Sequence, residues 1–396
     1  MTPLIAPVEG RAFRKKRNLL LAYASELGAP VLRAAAALRS RGDVTNPRSW
    51  RRGLILGHTH LGDVLYRTCS LDALRHGLPG CEWTYATSPE SAGILANNPA
   101  VSEVLPVIRG ENSWNLADGG YHELASRQFD VVLCTNTVRH HPDIALATAL
   151  GIPNRVAFCG RGFTGLINHP VPFAFPQVYP AYFRSMVNRL TDEADTSLLQ
   201  PRLYPAAGDR DLAAGLFRRL RGDGGEPVVA CALRTRQASG NWPASVMLEV
   251  LRAAREQRSF HVVFCGVGAD RSALTELASQ FPFPSSVSAG DAGVLGFAAF
   301  LEKCAVLFTL DSGPRHIGNA VGIPVLFARN LAHSMVEAGT YCDTETDIAP
   351  AVEYLDDATT AAVARSQSIG ALAAVLLEAI SASDRRVSFP RSTAQG

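Results

Sequence analysis

Three short clusters carry side chains whose type and spacing suit chemistry. In the first, the apolar run LILG ends in polar HTH, and Gly62-Asp63 then opens a segment of helical spacing, VLYRTCSLDALR. A carboxylate at the exit of a buried strand can accept a proton as a general base or cap the following helix, and spacing leaves both open. Gly62 would let the backbone approach a ligand closely, with His60 beside it. In the second, LDSGPRHIGNAVGIPV, a strand ends at Asp311-Ser312-Gly313-Pro314 and a helix begins at once. Backbone N–H groups, the helix dipole and the Ser312 hydroxyl there suit an anion, with Arg315 and His316 as further donors, and a plainly capped helix is the alternative. In the third, LRTRQASGNWP, Arg234 and Arg236 flank Thr235 in a strand-to-helix loop. Two guanidinium groups and a hydroxyl suit a diphosphate, although either arginine can pair with a carboxylate instead.

Other clusters say less. FCGVGAD holds Gly266 and Gly268 but lacks the full dinucleotide fingerprint. His58 and His60 alternate without a third ligand at a recognisable spacing, so no metal is expected. VRHHPD, at residues 138–143, stands at another strand exit and by position faces an acceptor. The only lysines are Lys15, Lys16 and Lys303, so a bound phosphate must be met by arginine, histidine or backbone N–H.

The elements that must position these clusters read as two rounds of strand and helix. With 396 residues, 47% of them apolar and a net charge of +2, the chain has the length and composition of a two-domain globular protein. No run approaches a membrane span, and the first residues lack the pattern of a secretory signal. The eight cysteines are scattered, several at the ends of apolar runs, where a buried free thiol is expected. The chain is therefore expected in the cytoplasm. Short apolar runs alternate with helical patterns from residue 54, a proline- and aromatic-rich stretch at 168–183 interrupts them, and the alternation restarts near 227. That pattern predicts parallel sheets built from βαβ units, whose ligands bind beyond the carboxyl ends of the strands. The division it suggests is a basic amphipathic extension over 1–50, a first Rossmann-like domain over 51–185, a connection over 186–225, a second Rossmann-like domain over 226–355 and a helical tail over 356–396. The extension has Glu9, Glu26 and Asp43 as its only acids. It suits peripheral contact with an anionic membrane surface, or packing on the body with a solvated basic face.

Taken in order, HLGDVLYRTCSLDALR, LRTRQASGNWP and LDSGPRHIGNAVGIPV resemble the signatures of the lipopolysaccharide heptosyltransferases, glycosyltransferase family nine. NRVAFCGRG and VVFCGVGADRSALTEL are similar to that family's intermediate segments, and the resemblance spans roughly residues 53–330. It implies an α/β protein of GT-B fold, two Rossmann-like doubly wound domains facing a central cleft. It also implies an inverting glycosyltransferase that moves heptose from an ADP-sugar donor to a saccharide or lipid-linked saccharide acceptor, with no cofactor and no tightly bound metal. Carried over by motif, the general base falls on Asp63, and the donor-binding loop on Asp311, Ser312, Gly313 and Pro314 with His316. Thr235 and Arg236 take the first loop of the second domain, and Arg234 and Gly266 complete the donor-side candidates. No nucleic-acid partner is expected. Two departures stand out: Gly240 occupies a position where many members have lysine, and FARN, residues 327–330, replaces a common Phe-Gly-Pro-Thr. A different nucleotide-sugar donor, a small-molecule acceptor, a nucleotide-sugar epimerase and a decayed binding protein are the other readings of the same fold.

Overall fold

The computed structural model describes residues 16–57, 60–109, 114–115, 120–137, 141–192, 199–221, 225–235 and 239–388, and the chain divides into two compact units, Met1–Leu199 and Gln200–Gly396. His58, Arg139, His140 and Arg236 lie outside the described residues.

Unit 1 opens with helices α1 (Lys16–Leu27) and α2 (Ala29–Arg39), then builds its sheet from β1 (Arg52–Leu56), β2 (Glu82–Thr87) and β3 (Glu103–Pro106). A small antiparallel pair, β4 (Ile108–Arg109) and β5 (Trp114–Asn115), precedes β6 (Val131–Cys134), β7 (Asn154–Phe158) and β8 (His169–Val171). The six longer strands lie in the order β3-β2-β1-β6-β7-β8, all parallel. Strands β6 and β7 are buried along their whole length, as continuous apolar runs in a two-sided parallel sheet must be. Between strands run α3 (Leu61–Arg67), α4 (Leu71–Gly77), α5 (Pro89–Ala92), α6 (Gly120–Ser126) and α7 (His141–Ala149), and α8 (Tyr179–Thr191) follows β8. The proline-rich stretch is thus not a break in the unit. Pro170, which has no N–H to donate, sits in the edge strand β8, where a missing ladder bond is tolerated.

Unit 2 repeats the plan. After α9 (Ala207–Arg221) come β9 (Val228–Ala232), α10 (Ala244–Gln257), β10 (His261–Gly266), α11 (Arg271–Gln280) and β11 (Ser285–Ala289). Then follow α12 (Gly293–Leu301), β12 (Val306–Leu310), α13 (Gly313–Val321), β13 (Val325–Ala328) and β14 (Glu345–Asp347), with α14 (Asp357–Arg365) and α15 (Ile369–Ser388) at the end. Its order, β11-β10-β9-β12-β13-β14, is the same as in unit 1 and again wholly parallel. One face packs α10 and α15 through Val246, Val250, Leu251, Leu376 and Ile380, all fully buried or nearly so. The thiols of Cys231 and Cys304 are buried, and burial pushes that of Cys265 up to about 12, so they behave as small apolar groups.

In this strand order the chain reverses direction of sheet growth between its first and fourth strands. In unit 1 that point lies between β1 and β6, and in unit 2 between β9 and β12. Ligands of doubly wound sheets bind outside the carboxyl ends of the strands at such a point. The loops leaving those four strands are therefore where chemistry belongs.

Candidate functional site

Strand β1 leaves the unit 1 sheet at Gly57, beside β6. A Cβ on Gly57 would fall 2.1 Å from Thr135 Oγ1, so only glycine lets the two exits lie this close. Thr135 ties them together, its N–H and hydroxyl both donating to Leu56 O at 2.8 and 2.9 Å. The chain then enters α3 with exposed His60 at the N-cap, and Asp63 is the third helical residue, half-buried in the first turn. The cap position thus belongs to His60, not to Asp63. One carboxylate oxygen of Asp63 accepts a hydrogen bond from Tyr66 Oη at 2.6 Å, and Arg67 donates to the Asp63 carbonyl at 2.9 Å.

Tyr66 and Arg67 are both buried. The Tyr66 ring stacks on Tyr179 of α8, with centroids 5.8 Å apart and planes 14° from parallel. Burial first, and the neighbouring Asp63 charge second, push the Tyr66 phenol well above its usual 10, so it stays protonated and donates. A carboxylate held by a permanent donor, at the carboxyl edge of a central strand, can receive a proton from a bound hydroxyl. Spacing alone pointed to Asp63 but not to Tyr66. The signal was present, because residues three apart share a helix face.

In unit 2, β12 ends at Leu310 and α13 begins at Gly313, with Ser312 at the N-cap in extended backbone. Its hydroxyl donates to Leu310 O at 3.2 Å. Pro314 has no N–H, and that of Arg315 is bonded to Ser312 O at 3.0 Å. This turn therefore offers an anion fewer backbone donors than an ordinary helix N-terminus. Arg315 is not one of the anion's donors, contrary to expectation. It is 1% exposed and turned inward, donating to Glu345 at 2.8 Å, to Asp311 at 2.9 Å and to the carbonyls of Ala338 and Gly339. It also lies 3.5 Å from the Phe327 ring centroid. Asp311 is thereby occupied as an ion-pair partner at the mouth of the turn. His316 pairs through Nδ1 with the Tyr341 hydroxyl and stacks on that ring.

The loop leaving β9 holds Arg234 and Thr235. Arg234, about half exposed, meets Asp270 at 3.3 Å, the carboxylate pairing that its sequence left open. Asp270 also accepts from Val267 N–H and lies where a Cβ on Gly266 would touch it, so Gly266 gives the room in which this acid sits. The Thr235 hydroxyl accepts from Asn241 at 3.0 Å, Asn330 donates to Asn241 Oδ1 at 3.2 Å and to Ser239 O at 2.9 Å, and Leu331 N–H donates to Gly240 O at 2.9 Å. Gly240 has φ +78°, and a Cβ there would lie 2.3 Å from Asn330 Oδ1 and 2.5 Å from the Ala332 side chain. The two departures noted in the sequence, Gly240 and FARN, are thus one feature: the asparagine fills the space beside the glycine and braces the loop. Arg329 beside it is buried and paired with Asp347 at 2.8 Å. Asp143, expected near the acceptor, is fully buried and accepts from Trp114 Nε1 at 2.9 Å. Among the described residues no three His, Cys, Asp or Glu side chains gather as a metal ligand set.

With the geometry in place, comparison with known proteins is informative. The family model "Glycosyltransferase family 9 (heptosyltransferase)" matches residues 122–331, just over half of the chain, beginning downstream of Asp63. No curated protein matches the sequence. Among solved structures, E. coli ADP-heptose LPS heptosyltransferase II is 17% identical, covers 84% of this chain and 99% of its own, and superposes with a TM-score of 0.66. E. coli heptosyltransferase WaaC with ADP is 18% identical over 83% of this chain and 99% of its own, at 0.62. A glycosyl transferase family 9 protein from Veillonella parvula is 19% identical over 78% and 88%, at 0.65. At these identities the likeness is one of fold: the chain shares the two-domain α/β architecture of these transferases.

Proposed function

Because the chain belongs to glycosyltransferase family 9, the heptosyltransferases, we propose that this glycosyltransferase moves heptose from ADP-heptose to a saccharide acceptor of the lipopolysaccharide type. The observation that carries the reading is the Asp63 carboxylate, held by Tyr66 at the carboxyl edge of β1. Supporting the donor, the similar E. coli WaaC structure holds ADP. The cysteines, unbridged and mostly buried, support a cytoplasmic setting.

The step is a single displacement. Asp63 takes the proton of the acceptor hydroxyl as its oxygen attacks the anomeric carbon, the bond to the diphosphate breaks, and ADP leaves with the charge. Arg234 is the described cation of the β9 loop. Its pairing with Asp270 is half exposed, a class of ion pair worth about 0–1 kcal/mol, so a diphosphate can displace the carboxylate at little cost. The Ser312–Gly313 turn and Thr235 supply neutral donors, and Arg236 is a second cation of the same loop. No cofactor enters this step.

Two measurements test it. In a transfer assay from ADP-heptose to a lipopolysaccharide-core acceptor, Asp63→Asn should cut turnover by about two to four powers of ten. Its melting-temperature rise with ADP should equal that of the wild type. In a panel of ADP, UDP, GDP and dTDP, ADP should give the largest rise, since a ligand at a hundredfold its Kd stabilises by about 2.7 kcal/mol. Transfer unaffected by the substitution removes Asp63 from the step, and a preference for UDP overturns the donor.

A further inference from the structure

Seven of the thirteen large apolar side chains exposed among the described residues fall between Leu20 and Val44, so exposed apolar surface is concentrated on one segment. Helices α1 and α2 attach to unit 1 by their small residues. Ala22 and Ser25 of α1 and Ala36 of α2 are buried, Ser25 Oγ accepts from Phe163 N–H at 2.8 Å, and Glu26 accepts from both Thr164 N–H and its hydroxyl. Apart from Leu32, which packs on the core, the large aliphatics described point the other way. Leu20 and Leu27, seven apart and so on one face of α1, are 68% and 81% exposed. Val31 and Leu38, seven apart on α2, are 73% and 89% exposed. Alongside the exposed Arg33 and Arg39, these large aliphatics too are thus in solvent. A helix packed on a soluble body ordinarily turns its leucines inward, and a contiguous exposed apolar face marks an interaction surface.

Charge identifies what the face meets. Residues 16–41 carry five basic residues and one acid, Glu26, whose carboxylate is already engaged by Thr164. Arg33 and Arg39 of the same helix as Val31 and Leu38 are exposed, and such long cationic side chains can reach headgroups while an apolar stripe enters the acyl boundary. No single helix among the described residues is long and apolar enough to cross a membrane, so the mode is lying on the surface. The turn between α1 and α2 sits on the connection between β7 and β8, where a Cβ on Gly165 would lie 2.3 Å from Ala29 O.

We propose that the outer face of α1 and α2, formed by Leu20, Leu27, Val31 and Leu38 with the exposed cations Arg33 and Arg39, docks unit 1 on an anionic lipid surface. The docking stands independently of the sugar transferred. The test is co-sedimentation of the full chain with phosphatidylcholine vesicles, with and without phosphatidylglycerol, at low and high salt. The wild type should bind the anionic vesicles, at least about tenfold more weakly in high salt or without phosphatidylglycerol. The triple variant Leu20→Glu/Leu27→Glu/Leu38→Glu should lose about tenfold or more while melting with the wild type, because the three side chains are already in solvent. Its transfer to a water-soluble acceptor should be unchanged. No binding by the wild type, binding indifferent to charge, or binding retained by the triple variant overturns the proposal. So does a dimer that the triple variant dissociates without change in vesicle binding, which would assign the face to a second copy. Failure of transfer in the wild type itself, with vesicle binding intact, would count against the sugar assignment and leave the docking standing.

Discussion

Gly240→Ala should destabilise unit 2 far more than a loop substitution ordinarily does. The alanine Cβ would lie 2.3 Å from Asn330 Oδ1, 2.5 Å from Ala332 Cβ and 2.9 Å from Ala332 N. Asn330 cannot simply swing aside, since its Oδ1 accepts from Ala332 N–H at 2.9 Å and its Nδ2 holds Ser239 O. The backbone at φ +78° adds the cost of a left-handed residue, about 1–2 kcal/mol. Overpacking of a braced site adds about 1–3 kcal/mol, for a total of about 2–5 kcal/mol. For a unit of this size each kcal/mol lowers the melting temperature by about 2–4 °C, so calorimetry should show a fall of about 4–20 °C. Adding Asn330→Gly removes the closest contact but not the strained φ, and should restore only part of the loss. A Gly240→Ala protein that melts with the wild type refutes this reasoning.

Tyr66→Phe should lower kcat by about 10- to 100-fold, the worth of a hydrogen bond to a charged group, with donor KM and melting temperature unchanged because the stack on Tyr179 survives. Wild-type kcat in a steady-state transfer assay would show that the phenol does not position the base. Glu345→Gln should cost about 3–5 kcal/mol at neutral pH, by leaving buried Arg315 short of a charge. Burial alone would raise the Glu345 carboxyl, but Arg315, Asn319 and the Tyr341 N–H overcome it and hold the group below its ordinary 4.5. A depressed folded-state value gives stability that is present above 4.5 and lost as pH falls through the lower value, so the gap in melting temperature between variant and wild type should narrow in that range. A gap that stays constant into acid would show that the ion pair is not its source.

How far the sequence reached depends on the range of the interactions involved. Parallel strands buried on both faces read as short apolar runs, and the polar and glycine-rich residues that end them stand where such strands must exit. Asp63, Thr235 and Ser312 could therefore be placed at strand exits from local pattern alone. The direction in which Arg315 points could not, because its buried carboxylate partner Glu345 lies in β14, beyond a loop and another strand, although its other partner, Asp311, is local. Gly240 and Asn330 looked like separate departures for the same reason: they are distant in the chain and meet only where the β9 and β13 exits converge. Pro170 read as an interruption because local rules forbid proline in a central strand, while only the sheet order shows that its strand is at the edge.

The amino-acid sequence by itself determined two rounds of strand and helix, the absence of a long apolar run, and which polar residues leave the strands, since these follow from periodicity over a few residues. Tertiary structure alone decided the partners: that Tyr66 holds Asp63, that Arg315 serves the core, and that α1 and α2 turn Leu20, Leu27 and Leu38 outward and Ala22 and Ala36 in. A helix of mixed small and large apolar residues has two faces it can bury. Which one wins is settled by the shape it meets, here the close approach at Gly162 and Gly165, which admits an alanine and excludes a leucine.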